Sequence, residues 1–260
     1  MFSNPPLSED EHRRYARQLV LSEFGHAGQS KLKAAHVLVV GAGGLGSATL
    51  SYLATAGVGQ LTIIDHDSVE LSNLNRQILH ETGDIGRRKV ESAADRIAEL
   101  NPEVQVTRVA QRVEIFFQET PNALHGYDLV VDGTDHFSTR FAVAEACHQA
   151  GVTLVSAAVR GFAAHISTFK SHLGVPHPCY RCWVPALPHQ ENDCAAQGIL
   201  GPLVGVMGSM QALEAIKELT SIGQSLSGRM LRYDALSGQW ASSRLMRDPA
   251  CVLCGEPHAD

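Results

Sequence analysis

The first residues, MFSNPPLSEDEHRR, have none of the apolar run that a secretory leader requires, so no such leader is expected. Nor does the chain contain an unbroken apolar stretch long enough to span a bilayer. Its most apolar segment, Ile199 to Ile216, is interrupted by Pro202, Ser209, Gln211 and Glu214 and reads as a core helix. Positive charge is not in surplus, with 21 Lys and Arg against 27 Asp and Glu and a net charge of −6. That balance excludes a general nucleic-acid binder and a protein held on anionic membrane by charge. No internal repeat or low-complexity tract is present. A cytoplasmic protein is predicted. Its 260 residues, 44% of them hydrophobic, suffice for one large core, so a single continuous domain spanning 1–260 is expected. In that compartment its six cysteines read as metal ligands, catalytic thiols or buried apolar residues and not as a disulfide framework.

The chain is organised around Val37 to Asp67, VLVVGAGGLGSATLSYLATAGVGQLTIIDHD, which reads as strand, glycine turn, helix, strand. Val37 to Val40 is a short β-branched run of the kind buried on both faces of a parallel sheet. Gly41, Gly43 and Gly46 follow in G-x-G-x-x-G spacing. The first glycine permits a tight turn, the second lets backbone N–H groups approach a phosphate, and the third lets the helix pack closely on the strand. The helix N-terminus directs its free N–H groups at the same phosphate. Leu61 to Ile64 is the second strand. It ends in Asp65, about 20 residues beyond the glycines, where a carboxylate can hydrogen-bond a ribose hydroxyl. The whole unit predicts a bound adenine nucleotide.

Ser8 to Leu21 reads as an opening helix with Ser8 and Glu11 spaced as a capping box, and its Arg13, Arg14 and Arg17 read as a solvated basic face. A polar connection containing Gly25 and Gly28 precedes the first strand. Helices are predicted over Arg88 to Leu100, Glu114 to Leu124 and Ser138 to Ala150. Strands are predicted over Val104 to Val109, Leu129 to Val131 and Thr153 to Val159. Past that point the βα rhythm stops. Ala163 to Phe169, Met230 to Asp234 and Gln239 to Met246 read as antiparallel additions to the sheet. Between them lie a loop from Val184 to Gln197 and a helix from Pro202 to Leu219. The fold class is therefore α/β: a Rossmann-like, mostly parallel sheet with helices on both faces, extended by antiparallel strands.

Cys179-x-x-Cys182 and Cys251-x-x-Cys254 lie roughly 70 residues apart. Each pair supplies two corners of a tetrahedron, and together they predict a four-cysteine structural zinc site that staples the C-terminus to the body. Cys147 falls in the apolar register of a helix and reads as a core thiol. Cys194 sits in the long loop after Glu191, Asn192 and Asp193. Residue chemistry leaves it open between a nucleophile and an ordinary loop thiol.

Arg76 and Lys89 follow soon after Asp65, and a second acid, Asp135, closes the polar cluster Asp132-Gly133-Thr134-Asp135 at another strand end. Two cations and an acid have no obvious use in a nicotinamide dehydrogenase. They suit a nucleoside triphosphate, the cations neutralising phosphate oxygens and Asp135 holding magnesium.

RYARQ at 14–18, GAGGLG at 41–46, DHD at 65–67, LSNLNRQ at 71–77, GRRKVES at 86–92 and DGTD at 132–135 occur in order along the chain. CYRC at 179–182, GPLVGVMGSMQALEAIK at 201–217, YDA at 233–235 and CVLCG at 251–255 follow. With these motifs over nearly its whole length, the chain resembles the ubiquitin-like-protein activating enzymes, in the bacterial branch that adenylates sulfur-carrier proteins for molybdopterin or thiamin biosynthesis. The resemblance implies an N-terminal helical segment (1–35), a nucleotide-binding core (36–160) and a carrier-binding extension with the zinc site (161–260). It implies that Gly41, Gly43, Gly44, Gly46, Asp65 and Asp67 form the nucleotide site, Asp65 holding the ribose and Gly44 lying against the nucleotide. Asn73, Arg76 and Lys89 would contact phosphates and Asp135 would organise magnesium.

Arg17 would reach the triphosphate of a second subunit, which implies a homodimer and removes Arg17 from the solvated face. Two positions depart from the family. His136 stands where Asn commonly follows the magnesium-site acid, and Ala164-His165 replaces a Gly-Gln pair. The implied reaction is ATP-dependent adenylation of the C-terminal carboxylate of a small ubiquitin-like carrier protein ending in Gly-Gly, with release of pyrophosphate, before thiocarboxylate formation. The resemblance implies that the loop cysteine, here Cys194, takes part in sulfur transfer if the chain is of the thiamin type and is dispensable if it is of the molybdopterin type. No rhodanese-like domain is appended, so a separate sulfur donor is expected. The alternatives are an NAD(P)-dependent oxidoreductase, favoured by the glycine motif alone, and a non-catalytic carrier-binding scaffold, disfavoured by the intact Arg17, Arg76, Lys89 and Asp135.

Overall fold

The computed structural model describes residues 5–187 and 198–255. Eight strands form one sheet in the order β3-β2-β1-β4-β5-β6-β7-β8. They are β1 (His36–Val40), β2 (Gln60–Ile64), β3 (Gln105–Val109), β4 (Leu129–Asp132), β5 (Thr153–Arg160), β6 (Ala163–Phe169), β7 (Arg229–Asp234) and β8 (Gln239–Arg244). The first five pair in parallel, and β6, β7 and β8 add antiparallel, as the loss of the βα rhythm after β5 predicts.

The two-residue period of a strand divides the core between the faces of the sheet. Val37 and Val39 point into one apolar cluster, and Leu38 and Val40 into the other. The first cluster takes its cover from α3 (Gly25–Ala34), α4 (Gly44–Ala56), α5 (Lys89–Leu100) and α9 (Gly201–Thr220). The second is covered by α6 (Val113–Glu119), α7 (Phe137–Ala150) and the one-turn helix α8 (Tyr180–Trp183). The proline expected in the first turn of α9 is there. Helices α9 and α4 pack closely, and the Thr49 hydroxyl donates across their interface to the Gly208 carbonyl (3.0 Å).

The amino-terminal segment corrects two expectations. The predicted opening helix is two short ones, α1 (Glu9–Arg14) and α2 (Ala16–Leu19). The capping box forms: Glu11 N–H donates to Ser8 Oγ (3.1 Å) and Ser8 N–H to Glu11 Oε2 (2.6 Å). The helix breaks at Tyr15, whose buried ring turns inward so that its hydroxyl accepts from Asn101 Nδ2 (2.8 Å). The supposed polar connection is helix α3. Gly28 belongs to it because a Cβ there would lie 2.7 Å from the Phe24 ring, and the buried Gln29 amide donates to the Ala56 carbonyl at the end of α4 (2.8 Å). The helix predicted over Glu114 to Leu124 also shortens: α6 stops at Glu119.

Candidate active site

The order of the sheet reverses between β1 and β4, the chain moving outward to β2 on one side and to β5 on the other. At such a switch point a crevice opens beyond the carboxyl ends of the strands. The glycine turn lies there. Gly41 has φ +95° and packs on the backbone of Gly133 at the end of β4. A Cβ on Gly46 would meet the Gly41 carbonyl oxygen at 1.9 Å, so only glycine closes this turn. Helix α4 starts at Gly44 with no side-chain cap at Gly43, leaving its first N–H groups to an outside acceptor. Gly44 itself packs against Val204 of α9.

Asp65, predicted to hold ribose, is first a structural clamp. Its Oδ2 accepts the Ala42 N–H and its Oδ1 the Asp67 N–H, both at 2.8 Å. Each oxygen retains a second lone pair for a hydroxyl donor. Lys89, buried on α5, places its ammonium 2.8 Å from Asp67 Oδ2. Burial alone would push the Asp67 carboxyl up. The hydrogen bond and charge of Lys89, with His66 and Arg112 near, overcome this and hold it below the usual carboxylate range. Asp65, His66 and Asp67 converge at this strand end.

The LSNLNRQ segment passes beside the turn. A Cβ on Gly43 would lie 3.7 Å from Gln77 Nε2, and Gly201 at the start of α9 abuts the Asn75 carbonyl. Asn73 is buried and accepts the Glu70 N–H (3.3 Å), which caps the one-turn helix Leu71–Asn73. Arg76 is half-buried and donates to the Ser72 carbonyl (2.8 Å) and to Asn75 Oδ1 (3.0 Å).

The two acids of DGTD have opposite fates. Asp132 is fully buried, accepting from Thr134 N–H (2.9 Å), Thr134 Oγ1 (2.6 Å) and Ser156 Oγ (3.0 Å). Asp135 is 70% exposed, with His136 Nε2 at 3.8 Å from its Oδ1. Arg140, buried on α7, donates to the carbonyls of Thr134 and Ala157 and fixes the loop that carries Asp135.

Arg17 is not brought to the turn of its own chain. Gln18 donates to the Ala56 carbonyl (3.2 Å) and Tyr15 packs at Gly57, both at the C-terminal end of α4. That end lies about 20 Å along the helix from Gly44. Arg17 itself points to solvent. Cys194 lies outside the described residues.

The four cysteines converge as the spacing predicts. Sγ separations are 3.8 Å for Cys179–Cys182 and 3.4 Å for both Cys179–Cys251 and Cys182–Cys254. All four sulfurs lie within 4.8 Å of one another. These distances are too long for disulfides and close to the spacing of about 3.8 Å that a tetrahedral zinc–thiolate site imposes. Bonding from Cys179 and from the Asp248 N–H (3.4 Å) pushes the Cys182 thiol down to about 5 against the opposing effect of burial. The set is therefore compatible with zinc. The tail has a second anchor that the sequence did not disclose: Arg247 donates to the carbonyls of Ser171 (3.2 Å), His177 (3.0 Å) and Cys254.

His165, the departure on β6, stacks edge-on to Trp183 at 4.5 Å, and its Nε2 is buried without a hydrogen-bond partner. Burial, then Arg140 and Arg232, pushes the ring down to about 3 from 6.5. The unfolded chain therefore binds the extra proton first. Stability from the neutral ring is complete above pH 6.5 and is lost as pH falls from 6.5 toward 3. Each pH unit in that window is expected to remove up to about 1.4 kcal/mol. Urea unfolding between pH 7 and 4 should show a shallower decline for His165→Gln than for the wild type; parallel declines would exclude this origin.

Among the residues that build the site, the sequence assigns no role to Tyr15, Gln18, Asp132 and Arg140. Each has a partner far along the chain, and only Tyr15, Gln18 and Asp132 lie inside a quoted motif.

A profile of the ThiF family matches residues 15–253. The molybdopterin-synthase adenylyltransferase of Salmonella typhimurium is 43% identical over 250 residues, covering 96% of this chain and 99% of the relative. The SAMP-activating enzyme E1 of Haloferax volcanii is 41% identical over 250 residues, covering 95% of this chain and 90% of the relative. Among solved structures, MccB of Escherichia coli with AMPCPP and selenomethionine MccA superposes with a TM-score of 0.82 at 25% identity. That match covers 96% of this chain and 75% of the other. Among the described residues, no helix is long and apolar enough to cross a membrane.

Proposed function

Because the chain belongs to the ThiF family, we propose that it is an adenylyltransferase that activates a small sulfur-carrier protein with ATP. The observation that carries this reading is the uncapped start of α4 at the switch point, and to it we assign Lys89, Arg76 and Asp135 as the groups that serve the phosphates and their cation. The relatives named for adenylylating molybdopterin synthase and for activating SAMP support the substrate class, and the nucleotide analogue in the MccB structure supports the crevice.

The substrate end is the C-terminal Gly-Gly carboxylate of the carrier. Its oxygen attacks the α-phosphorus of ATP, the bond to the bridging oxygen breaks, and pyrophosphate leaves with the bonding electrons. A carboxylate is already ionised, so no general base is needed, and catalysis comes from position and from charge stabilisation. The N–H groups of Gly43 to Gly46 face phosphate oxygens, Asp65 receives the ribose, and Asp67 orients the Lys89 ammonium. Arg76 and Asn73 line the phosphate path. Asp135 is a hard oxygen donor suited to magnesium, which would neutralise phosphate charge when bound. Arg17, held by Tyr15 and Gln18 at the far end of α4, serves the site of a second subunit in a homodimer. Zinc, held by Cys179, Cys182, Cys251 and Cys254, has four protein ligands and no open position, so its part is structural.

Sulfide-level sulfur from a separate donor then attacks the acyl carbon, the bond to the phosphate oxygen breaks and AMP leaves, giving a thiocarboxylate for molybdopterin or thiamin synthesis. Cys194 is the thiol assigned to that transfer. Incubating the protein with ATP, magnesium and a Gly-Gly carrier should add one adenylyl group to the carrier by mass spectrometry. A carrier of unchanged mass, with ATP intact, would overturn the reading.

A further inference from the structure

His80 belongs to none of the groups assigned above, yet it touches the glycine turn directly. The ring is 6% exposed, with Nε2 3.0 Å from the Ala42 carbonyl oxygen and Nδ1 2.8 Å from Ser92 Oγ. Ser92 Oγ in turn lies 2.7 Å from Asp84 Oδ2. Asp84 accepts from the Glu81 N–H (3.0 Å) and the Arg87 guanidinium (2.5 Å) and sits below the usual carboxylate range. Burial opposes that lowering, and the hydrogen bonds from Ser92, Glu81 and Arg87 outweigh it.

The protons in this chain can be counted. Three short contacts, Ala42 carbonyl to His80, His80 to Ser92, and Ser92 to Asp84, need three protons. A neutral ring and one hydroxyl supply two. The groups facing the ring are Lys89 from α5, Asp84 from the turn before it and Asp65 from the end of β2. Burial and Lys89 hold the ring below the ordinary histidine value against the pull of the Ala42 carbonyl and the two acids. The ring is therefore neutral near pH 7, and one contact must go without a proton. The Ser92 hydroxyl proton can turn from Asp84 Oδ2 to Nδ1, since Glu81 and Arg87 still serve Asp84, and the 2.7 Å Ser92–Asp84 contact then lengthens. The Ala42 carbonyl has only His80 at hand in this chain of contacts, and setting it against a bare Nε2 lone pair would place two acceptors 3.0 Å apart.

We infer that His80 is a positioning residue for the nucleotide turn, held as the Nε2–H tautomer by Ser92 so that it grips the Ala42 carbonyl. Asp65 takes the Ala42 N–H (2.8 Å), so the peptide units on either side of Ala42 are fixed by two side chains. The next residues, Gly43 and Gly44, carry the N–H groups aimed at phosphate. The inference rests on the nucleotide reading of that turn.

Two substitutions separate positioning from mere filling of space. The amide nitrogen of His80→Gln can stand where Nε2 stands; that of His80→Asn reaches only the place of Nδ1. His80→Asn is expected to raise the KM for ATP by about tenfold, the cost of one buried carbonyl left without its donor, with the KM for carrier unchanged. His80→Gln is expected to remain within about threefold of wild type. Equal KM values in the two variants would overturn the inference, as would a parallel rise in both substrates' KM.

Nitrogen-15 NMR of the imidazole in the protein without nucleotide gives a readout independent of activity. Protonated Nε2 with bare Nδ1 is expected near pH 7, and a proton on Nδ1 would overturn the tautomer. If the wild type failed to bind ATP, the function would be at fault; if it bound ATP and His80→Asn bound it equally well, the positioning role would be.

Discussion

Asp135→Ala is expected to lower carrier adenylation at least about a hundredfold while leaving the melting temperature unchanged. Loss of one preorganised charge group at a phosphoryl-transfer site commonly costs this much in rate. The separation from stability follows from the two acids of DGTD. Asp132, fully buried, receives two protons from Thr134 and one from Ser156, so its removal would strand buried donors. Asp135 is 70% exposed, so water can replace its carboxylate beside its neighbours when the side chain is cut back to a methyl group. Arg140 still holds that loop through the carbonyls of Thr134 and Ala157. Circular dichroism melting beside a mass-spectrometric adenylation assay checks both halves. Retained activity would remove Asp135 from the site, and a lowered melting temperature would give it a structural part.

The second large effect concerns the four cysteines. Cys251→Ser, or thorough chelation of metal, is expected to lower the melting temperature by roughly 5–10 °C, a loss of a few kcal/mol for a chain of this size. Zinc held by these cysteines would be coupled to folding because the ligands are distant in sequence, Cys179 and Cys251 meeting at 3.4 Å across 72 residues. Arg247 softens the effect, since its bonds to Ser171 and His177 keep part of the tail in place without metal. Removing Arg247 as well should therefore unfasten the tail from residue 247 onward, seen as faster amide exchange there. An unchanged melting temperature in a verified metal-free sample would contradict the structural role of zinc.

The parts of the fold that could be read in advance are those governed by local rules. Val37 to Val40 was recognisable because each residue is apolar and β-branched or nearly so, and the strand lies in the middle of the sheet with both faces covered. Ser8 and Glu11 disclosed their cap because it is made within four residues. The antiparallel additions were legible from the missing helices between β5 and β6 and between β7 and β8. Helix α3 was hidden because its two glycines imitate a loop. The reason for Gly28 is the Phe24 ring against it, and Gln29 is buried for the sake of a carbonyl on another helix.

The site divides along the same line. The glycine spacing, Asp65 and the paired cysteines follow motifs whose geometry is fixed by short spacing or tetrahedral valence. His80, Arg140 and Tyr15 work through partners set by the tertiary fold: Ala42, the Thr134 and Ala157 carbonyls, and Asn101. Nothing in their neighbours along the chain names those partners. Lys89 illustrates a role only half legible. Its cation was readable, but its commitment to Asp67 at 2.8 Å emerges only from the packing of α5 beside the end of β2.

The most direct measurement is exchange of labelled pyrophosphate into ATP by the purified protein with magnesium. An adenylating enzyme should catalyse exchange that depends on a carrier ending in Gly-Gly and disappears when the last glycine is deleted. Exchange absent with every such carrier, in protein that binds NAD(H) in preference to ATP, would contradict the assignment.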